Sequence, residues 1–159
     1  MPLRLIGLTI MIGSAVYYSV TLVRRAKRRI QQTEELCNLI LYIKNNIEAF
    51  MTPVQDIIAS FSSRDEEISY FLGQAMQNGL FDSAANATLG ISKEGMVLFN
   101  EFACRVGKNY KDEEIRMCEY YYNELSSLLK REKEETGQRM KMYKTLPVMS
   151  AISIALMLV

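Results

Sequence analysis

The sequence contains no histidine and no tryptophan, and it has only three cysteines, Cys37, Cys104 and Cys118. The absence of histidine excludes Ser-His and Cys-His nucleophilic sites as well as metal sites built on imidazole. An odd number of cysteines lying among apolar residues favours small core side chains in a reducing compartment over a disulfide framework.

Phosphate-binding glycine loops and CxxC pairs are also missing, because the eight glycines are scattered and match neither GxxxxGK[ST] nor GxGxxG. Two acidic runs, Asp65-Glu66-Glu67 and Asp112-Glu113-Glu114, could be considered as acid/base or metal pairs. Both stand at predicted helix starts, where the helix dipole favours negative charge. We therefore expect no catalytic residue, no metal, no cofactor and no small-molecule substrate, and so no enzyme.

Positive charge is scarce in the middle of the chain. Residues 30–129 hold seven Lys or Arg against fifteen Asp or Glu, a net charge of −8. Phosphate backbones bind to basic surfaces, so nucleic acid is excluded as a partner. The acidic middle could instead suit a basic protein surface.

One long run lacks charge altogether. Leu5–Val23 contains no charged residue, and nineteen residues of helix just cross a hydrocarbon core of about 30 Å. The basic cluster follows the run, which predicts a retained transmembrane helix rather than a signal peptide. The cluster also predicts a cytoplasmic location for the C-terminal side of this helix. Its members are Arg24, Arg25, Lys27, Arg28 and Arg29.

A second apolar segment, Thr145–Val159, ends the sequence and is preceded by Arg139, Lys141 and Lys144. Its length of about 22 Å as a helix is short for a span, although Lys144 or Lys141 could snorkel. We predict a second transmembrane segment with the same cytoplasmic side, and a buried or interfacial helix is the alternative. Both termini would then face outward.

The predicted organisation has five parts. They are an N-terminal transmembrane anchor (1–23), a basic juxtamembrane cluster (24–29), a cytoplasmic helical bundle (30–129), a polar helical stalk (130–144) and a C-terminal transmembrane segment (145–159). Helical periodicity dominates, which predicts an all-α fold of about five to six helices.

The first soluble helix is expected to end near Phe50 with one apolar face. Its members are Ile30, Leu36, Cys37, Ile40, Ile43, Ile47 and Phe50. Thr52 is predicted to cap the next helix, with Pro53 at its first position. That helix should bury Val54, Ile57, Ile58 and Phe61.

The third helix is expected to follow Asp65, and Leu80–Leu89 to form a loop that could hold a short helix. Ser92 should cap the fourth helix and Gly107 should end it in a left-handed conformation. The last soluble helix should start at Tyr110 or Lys111. We place Tyr122 in the core, and Tyr120 and Tyr121 at the edge of the bundle. Predicted core residues of these helices are Ile68, Phe71, Leu72, Ala75, Met76, Met96, Phe99, Phe102, Ala103, Val106, Ile115, Cys118, Leu125, Leu128 and Leu129.

The order of these features resembles the stage III sporulation protein AB family of endospore-forming bacteria, over nearly the whole chain. The shared features are an anchor followed by Arg24-Arg25, a corner at Phe50-Met51-Thr52-Pro53-Val54, the Val106-Gly107 turn, and Lys141-Met142-Tyr143-Lys144 before the terminal anchor. Two departures stand out. Asn109, Tyr110 and Glu114 replace Ser-Asp and a later Gln, although Asn109 can still cap a helix. Lys44 and Asn46 stand among usually acidic positions.

The resemblance implies a platform subunit of the apparatus that links the mother cell to the forespore, in the mother-cell membrane. Such platforms are similar to inner-membrane proteins of type II secretion and type IV pilus machines. They receive a cytoplasmic secretion-type ATPase encoded beside them and contact other membrane subunits of the channel complex. The alternative is a membrane-anchored helical adaptor or regulatory protein unrelated to transport.

Overall fold

The computed structural model describes residues 2–50, 52–77 and 89–158, with side chains between 13 and 142 apart from positions 15, 51, 77–88 and 141. Within these ranges the chain forms five helices and no strand, so the predicted all-α class is confirmed. The helices are α1 (Pro2–Phe50), α2 (Val54–Ser60), α3 (Glu66–Gln77), α4 (Lys93–Arg105) and α5 (Lys111–Leu158).

Membrane-spanning helices were expected at both ends. Among the described residues, no helix combines the length and apolar character that a membrane crossing requires. The side chains of residues 5–12 and 145–159 lie outside the described part of the chain. The two transmembrane segments therefore remain predictions without support from the structure.

The chain divides into two compact units. One consists of Met1–Arg28 together with Glu132–Val159, and the other is Arg29–Arg131. In the first unit, Glu135 and Arg139 form the i,i+4 ion pair expected of the polar stalk, with 3.8 Å between Glu135 Oε2 and Arg139 Nη2.

The second unit has a single apolar core, to which all five helices contribute. Burial of these side chains is the main source of its stability, because apolar surface removed from water contributes about 25 cal/mol per Å². The core residues are Leu36, Cys37, Leu39, Ile40, Ile43, Ile47, Val54, Ile57, Ile58, Ile68, Phe71, Leu72, Ala75, Leu89, Ile91, Phe99, Phe102, Ala103, Val106, Cys118, Tyr121, Leu125, Leu128 and Leu129.

Aromatic rings form the centre of this core. Phe99 packs edge-on against Phe71 with centroids 5.8 Å apart, and Phe102 packs edge-on against Tyr121 at 5.8 Å. Tyr121, not Tyr122, is the buried tyrosine, so the predicted assignment is wrong. Its position three residues after Cys118 directs the ring towards Phe102, whereas Tyr122 is half-buried beside the core.

Seven other predicted core positions differ. Phe50, Met76 and Cys104 are exposed, and four are only half-buried, namely Ile30, Phe61, Met96 and Ile115. Phe50 and Met76 stand at or next to the last residues of α1 and α3, where the chain leaves the layer of packed helices. Phe61 follows α2 directly and packs on Tyr42 with ring centroids 5.4 Å apart. The predicted loop lies outside the described residues except for Leu89, which is buried.

Capping side chains set several helix boundaries. Ser92 Oγ accepts a hydrogen bond from Gly95 N at 3.2 Å, which confirms Ser92 as the N-cap of α4. Asp65 Oδ1 accepts hydrogen bonds from Glu67 N at 3.0 Å and from Ile68 N at 3.3 Å at the start of α3. Gly107 has φ 81° directly after α4, as predicted.

The start of α2 differs from the prediction. Pro53, with ψ 140°, is the N-cap rather than the first helical residue, and no side chain caps the helix. The carbonyl of Pro53 accepts hydrogen bonds from Asp56 N and Ile57 N instead. Thr52 is therefore one residue too early to cap α2, because Pro53 itself lies outside the helix.

Candidate functional site

The two corners predicted from separate parts of the sequence meet in space. They border a groove of about 380 Å³ in the Arg29–Arg131 unit, between the end of α1, the start of α2 and the α4–α5 turn. Its lining includes all four predicted corner residues, Thr52, Pro53, Gly107 and Asn109, together with Ile47, Val54, Gln55, Lys111 and Glu114. The structure thus joins residues more than fifty positions apart in the chain.

A buried carboxylate holds the α4–α5 turn. Glu114 is only 3% exposed, and its Oε1 accepts a hydrogen bond from Gly107 N at 2.7 Å. Its Oε2 accepts hydrogen bonds from Asn109 N at 3.3 Å and from Asn109 Nδ2 at 3.2 Å. The carboxylate thus accepts from two backbone N–H groups of the α4–α5 turn and from one side-chain amide, which fixes the turn.

Asn109 does not cap α5 as predicted. Its side chain donates to Glu114 Oε2, and it also donates to Met117 Sδ at 3.6 Å. A carboxylate can only accept hydrogen bonds, so the amide nitrogen of Asn109 faces Glu114.

The turn packs directly on α2. A methyl group added to Gly107 would lie 3.5 Å from Val54 Cγ2, an ordinary van der Waals contact. Backbone conformation, rather than space, therefore requires glycine at this position. The close approach of Gly107 to Val54 brings the α4–α5 turn against the first turn of α2.

At the third side of the groove, one lysine connects the start of α5 to the end of α1. Lys111 Nζ donates a hydrogen bond to the carbonyl of Glu48 at 2.9 Å, which joins the start of α5 to the last turn of α1. Nearby, Lys44 Nζ lies 2.6 Å from Glu119 Oε1, again between α1 and α5. The hydrogen bond to Glu119 raises the pKa of Lys44 above its usual value. Lys44, which departs from the family pattern, thus has an acidic partner in this chain.

Two strongly exposed aromatic residues are close in sequence to the groove lining, although neither belongs to it. Phe50 is 76% exposed and precedes Thr52 by two residues, and Tyr110 is 87% exposed between the lining residues Asn109 and Lys111. Large apolar side chains at such exposure usually mark a binding surface when they cluster.

Exposed carboxylates stand around the same groove. Asp56 follows the lining residue Gln55, and Asp112 and Glu113 lie between the lining residues Lys111 and Glu114. Glu48 is also exposed, next to Lys111. The basic side chains here are Lys108, Lys111 and Arg116, whose Nε donates to Asp112 O at 3.2 Å. Carboxylates therefore still outnumber basic groups at this end of the bundle.

A second polar cluster lies at the α2–α3 corner, and the sequence analysis missed it. Gln32 is 0% exposed, and its Nε2 donates to Glu67 Oε2 at 2.6 Å and to Asp65 Oδ1 at 3.3 Å. Its Oε1 accepts from Gly90 N at 2.7 Å. All polar atoms of the Gln32 side chain are therefore satisfied, which indicates a structural role.

Buried thiols offer no reactive site. Burial, with a further contribution from the Glu114 carboxylate, raises the pKa of Cys118 to about 12, so its thiolate is not populated at neutral pH. Cys37 is also buried, whereas Cys104 is exposed. Among the residues whose side chains are described, no group of three or more Cys, Asp or Glu could hold a metal ion.

The predicted membrane-orientation residues lie on the two long helices. Arg24, Arg25, Lys27, Arg28 and Arg29 are exposed on α1, and Arg139 is exposed on α5. The side chains of Lys141 and Lys144 lie outside the described residues. Nothing in this placement tests their predicted role at a membrane surface.

Comparison with known proteins gives one result. The sequence profile described as stage III sporulation protein AB matches residues 4–159. The chain belongs to the stage III sporulation protein AB family. This membership confirms the resemblance seen in the sequence and gives the chain a role in stage III of sporulation. No curated protein and no solved structure matches the sequence.

Proposed function

We propose that this member of the stage III sporulation protein AB family is a non-enzymatic platform subunit of the channel apparatus between mother cell and forespore. Its helical unit Arg29–Arg131 would dock a secretion-type ATPase in the cytoplasm, and its two ends would hold it in the mother-cell membrane beside other channel subunits. Family membership over residues 4–159 is the observation that carries the proposal.

The features of the helical unit support a docking role. Its surface is acidic, with a net charge of −8 over residues 30–129 from seven basic and fifteen acidic side chains. The groove at the two corners offers a concave surface, and the exposed Phe50 and Tyr110 are close in sequence to its lining. Acidic and aromatic surfaces of this kind suit a basic protein partner.

The membrane location is supported by the sequence. Leu5–Val23 is free of charge, and five of the next six residues are basic.

The direct test is binding between the full-length chain, purified in a mild detergent, and the secretion-type ATPase encoded beside it. We expect the ATPase to be retained on immobilised full-length chain, with an affinity measurable by fluorescence anisotropy. An unrelated detergent-solubilised membrane protein serves as the control for non-specific capture. No retention with both proteins at tens of micromolar would contradict the proposal.

A further inference from the structure

We infer that the groove at the two corners is the docking site for a partner segment rich in lysine and arginine that carries one large apolar side chain. The groove would take the apolar side chain, and the carboxylates around it would pair with the basic ones. This inference rests on the proposed function, because it specifies the surface and the chemistry of that docking.

The floor of the groove is apolar and suits an apolar side chain. Ile47, Pro53 and Val54 supply hydrocarbon surface, and the volume of about 380 Å³ accommodates one aromatic or long aliphatic side chain. Binding energy in protein interfaces is concentrated in such pockets, where one anchor side chain is fully removed from water.

The charged groups of the lining already have hydrogen-bond partners. Glu114 accepts hydrogen bonds from Gly107 N, Asn109 N and Asn109 Nδ2, and the Lys111 ammonium donates to Glu48 O. An apolar occupant therefore leaves no lining carboxylate or ammonium without a partner.

The charge of the residues around the groove determines which kind of polypeptide binds there. Asp56, Asp112 and Glu113 are exposed, and none of them lies in the core. Carboxylates placed around an apolar pocket accelerate association with a basic segment and oppose an acidic one. The rings of Phe50 and Tyr110 add faces on which arginine or lysine can stack.

The groove is also pre-formed. The Glu114 hydrogen bonds fix the α4–α5 turn, the Gly107–Val54 approach fixes α2, and the Lys111–Glu48 bond fixes the end of α1. A partner therefore binds without ordering this surface first, which lowers the cost of association.

The test measures ATPase affinity of full-length chains carrying substitutions around the groove. Tyr110→Ala and the pair Asp112→Lys with Glu113→Lys change exposed residues, so the fold should tolerate them. We expect each to weaken binding by about tenfold or more, and the charge-reversed pair to lose most of the salt dependence.

Matched controls lie elsewhere on the same unit. Tyr70→Ala removes an equally exposed tyrosine from α3, and the pair Glu66→Lys with Glu124→Lys reverses two exposed carboxylates away from the groove. We expect these chains to bind the ATPase within about twofold of the unmodified chain, since rim charges remote from the contact contribute little.

A photo-reactive phenylalanine analogue in place of Tyr110 then identifies the occupant by mass spectrometry of the cross-linked peptide. The inference requires an ATPase peptide with at least two basic residues beside an apolar one. A cross-link to a second copy of the chain, or to a peptide without basic residues, would overturn it.

The two proposals fail differently. If the unmodified chain does not bind the ATPase, both the proposed function and this inference are refuted. If the unmodified chain binds and the groove variants bind equally well, docking stands and the assignment of the groove is refuted.

Discussion

At the scale of single residues, Glu114 has the largest effect on the site. It is a buried carboxylate whose hydrogen bonds all go to the α4–α5 turn, so it connects the end of one helix to the first turns of the next. Its side chain both lines the groove and holds the groove together.

We expect Glu114→Gln to lower the free energy of unfolding by about 1–2 kcal/mol, because charge-assisted hydrogen bonds are replaced by neutral ones and one acceptor oxygen is lost. Chemical denaturation of the full-length chain measures the change. Glu113→Gln, at an exposed neighbouring position, should stay within about 0.5 kcal/mol of the unmodified protein. Equal effects of the two substitutions would show that the Glu114 hydrogen bonds are not stabilising.

Residue-scale prediction from sequence succeeded where the signal was local. Ser92 and Gly107 were found because capping and left-handed conformations require particular residue types. Gln32 and Glu114 were missed because a polar residue in a helix pattern is assigned to solvent unless its partners are known. Their partners, Gly90 and Asp65 for Gln32 and the turn for Glu114, become neighbours only in the folded chain.

At the scale of elements, the corners between helices determine the arrangement of the second unit. The helix bounds follow from apolar periodicity and from the proline and glycine residues that interrupt helices. Accordingly, α1 ends at Phe50 and α5 starts at Lys111, as expected. Periodicity did not determine which of two neighbouring residues caps a helix or enters the core. Pro53 instead of Thr52 became the cap, because its ψ of 140° lies outside the helical range. Tyr121 instead of Tyr122 entered the core, because it packs on Phe102 of α4.

We expect Gly107→Ala to destabilise the protein by about 1–2 kcal/mol, because an alanine at φ 81° is strained even though the space for its methyl group is adequate. Gly73→Ala is the matched control. It places a methyl group in open space on α3 and should stabilise the protein by up to about 1 kcal/mol.

Thermal unfolding of both variants decides whether Gly107 acts through the fold. A Gly107→Ala chain with an unchanged melting temperature but no ATPase binding would contradict the structural role assigned here. It would instead indicate that the partner contacts Gly107 directly.

At the scale of the whole molecule, the predicted topology is a hairpin with both termini outside the cytoplasm. The apolar run Leu5–Val23 and the basic residues after it predict this arrangement. Residues Met1–Arg28 and Glu132–Val159 belong to one compact unit, which is compatible with paired anchors. Sequence hydropathy, not the described side chains, carries this expectation.

A cysteine added after Val159 tests the topology. In a chain carrying Cys104→Ser, which removes the exposed native thiol, a membrane-impermeant maleimide should label the added cysteine in intact cells. A second chain that keeps Cys104 and lacks the added cysteine is the control, and its thiol should react only after permeabilisation. Labelling of the C-terminal cysteine only after permeabilisation would refute the hairpin.

Because the groove combines chain segments more than fifty residues apart, it exists only after the Arg29–Arg131 unit has folded completely. A segment that recognises this surface thereby distinguishes mature copies from incomplete ones. Occupancy also shifts the folding equilibrium by RT ln(1 + [L]/Kd), so subunits left without their partner are the ones most readily opened to proteases. Binding to the partner would then itself protect folded subunits from proteolysis, and quality control of the assembly would need no additional factor.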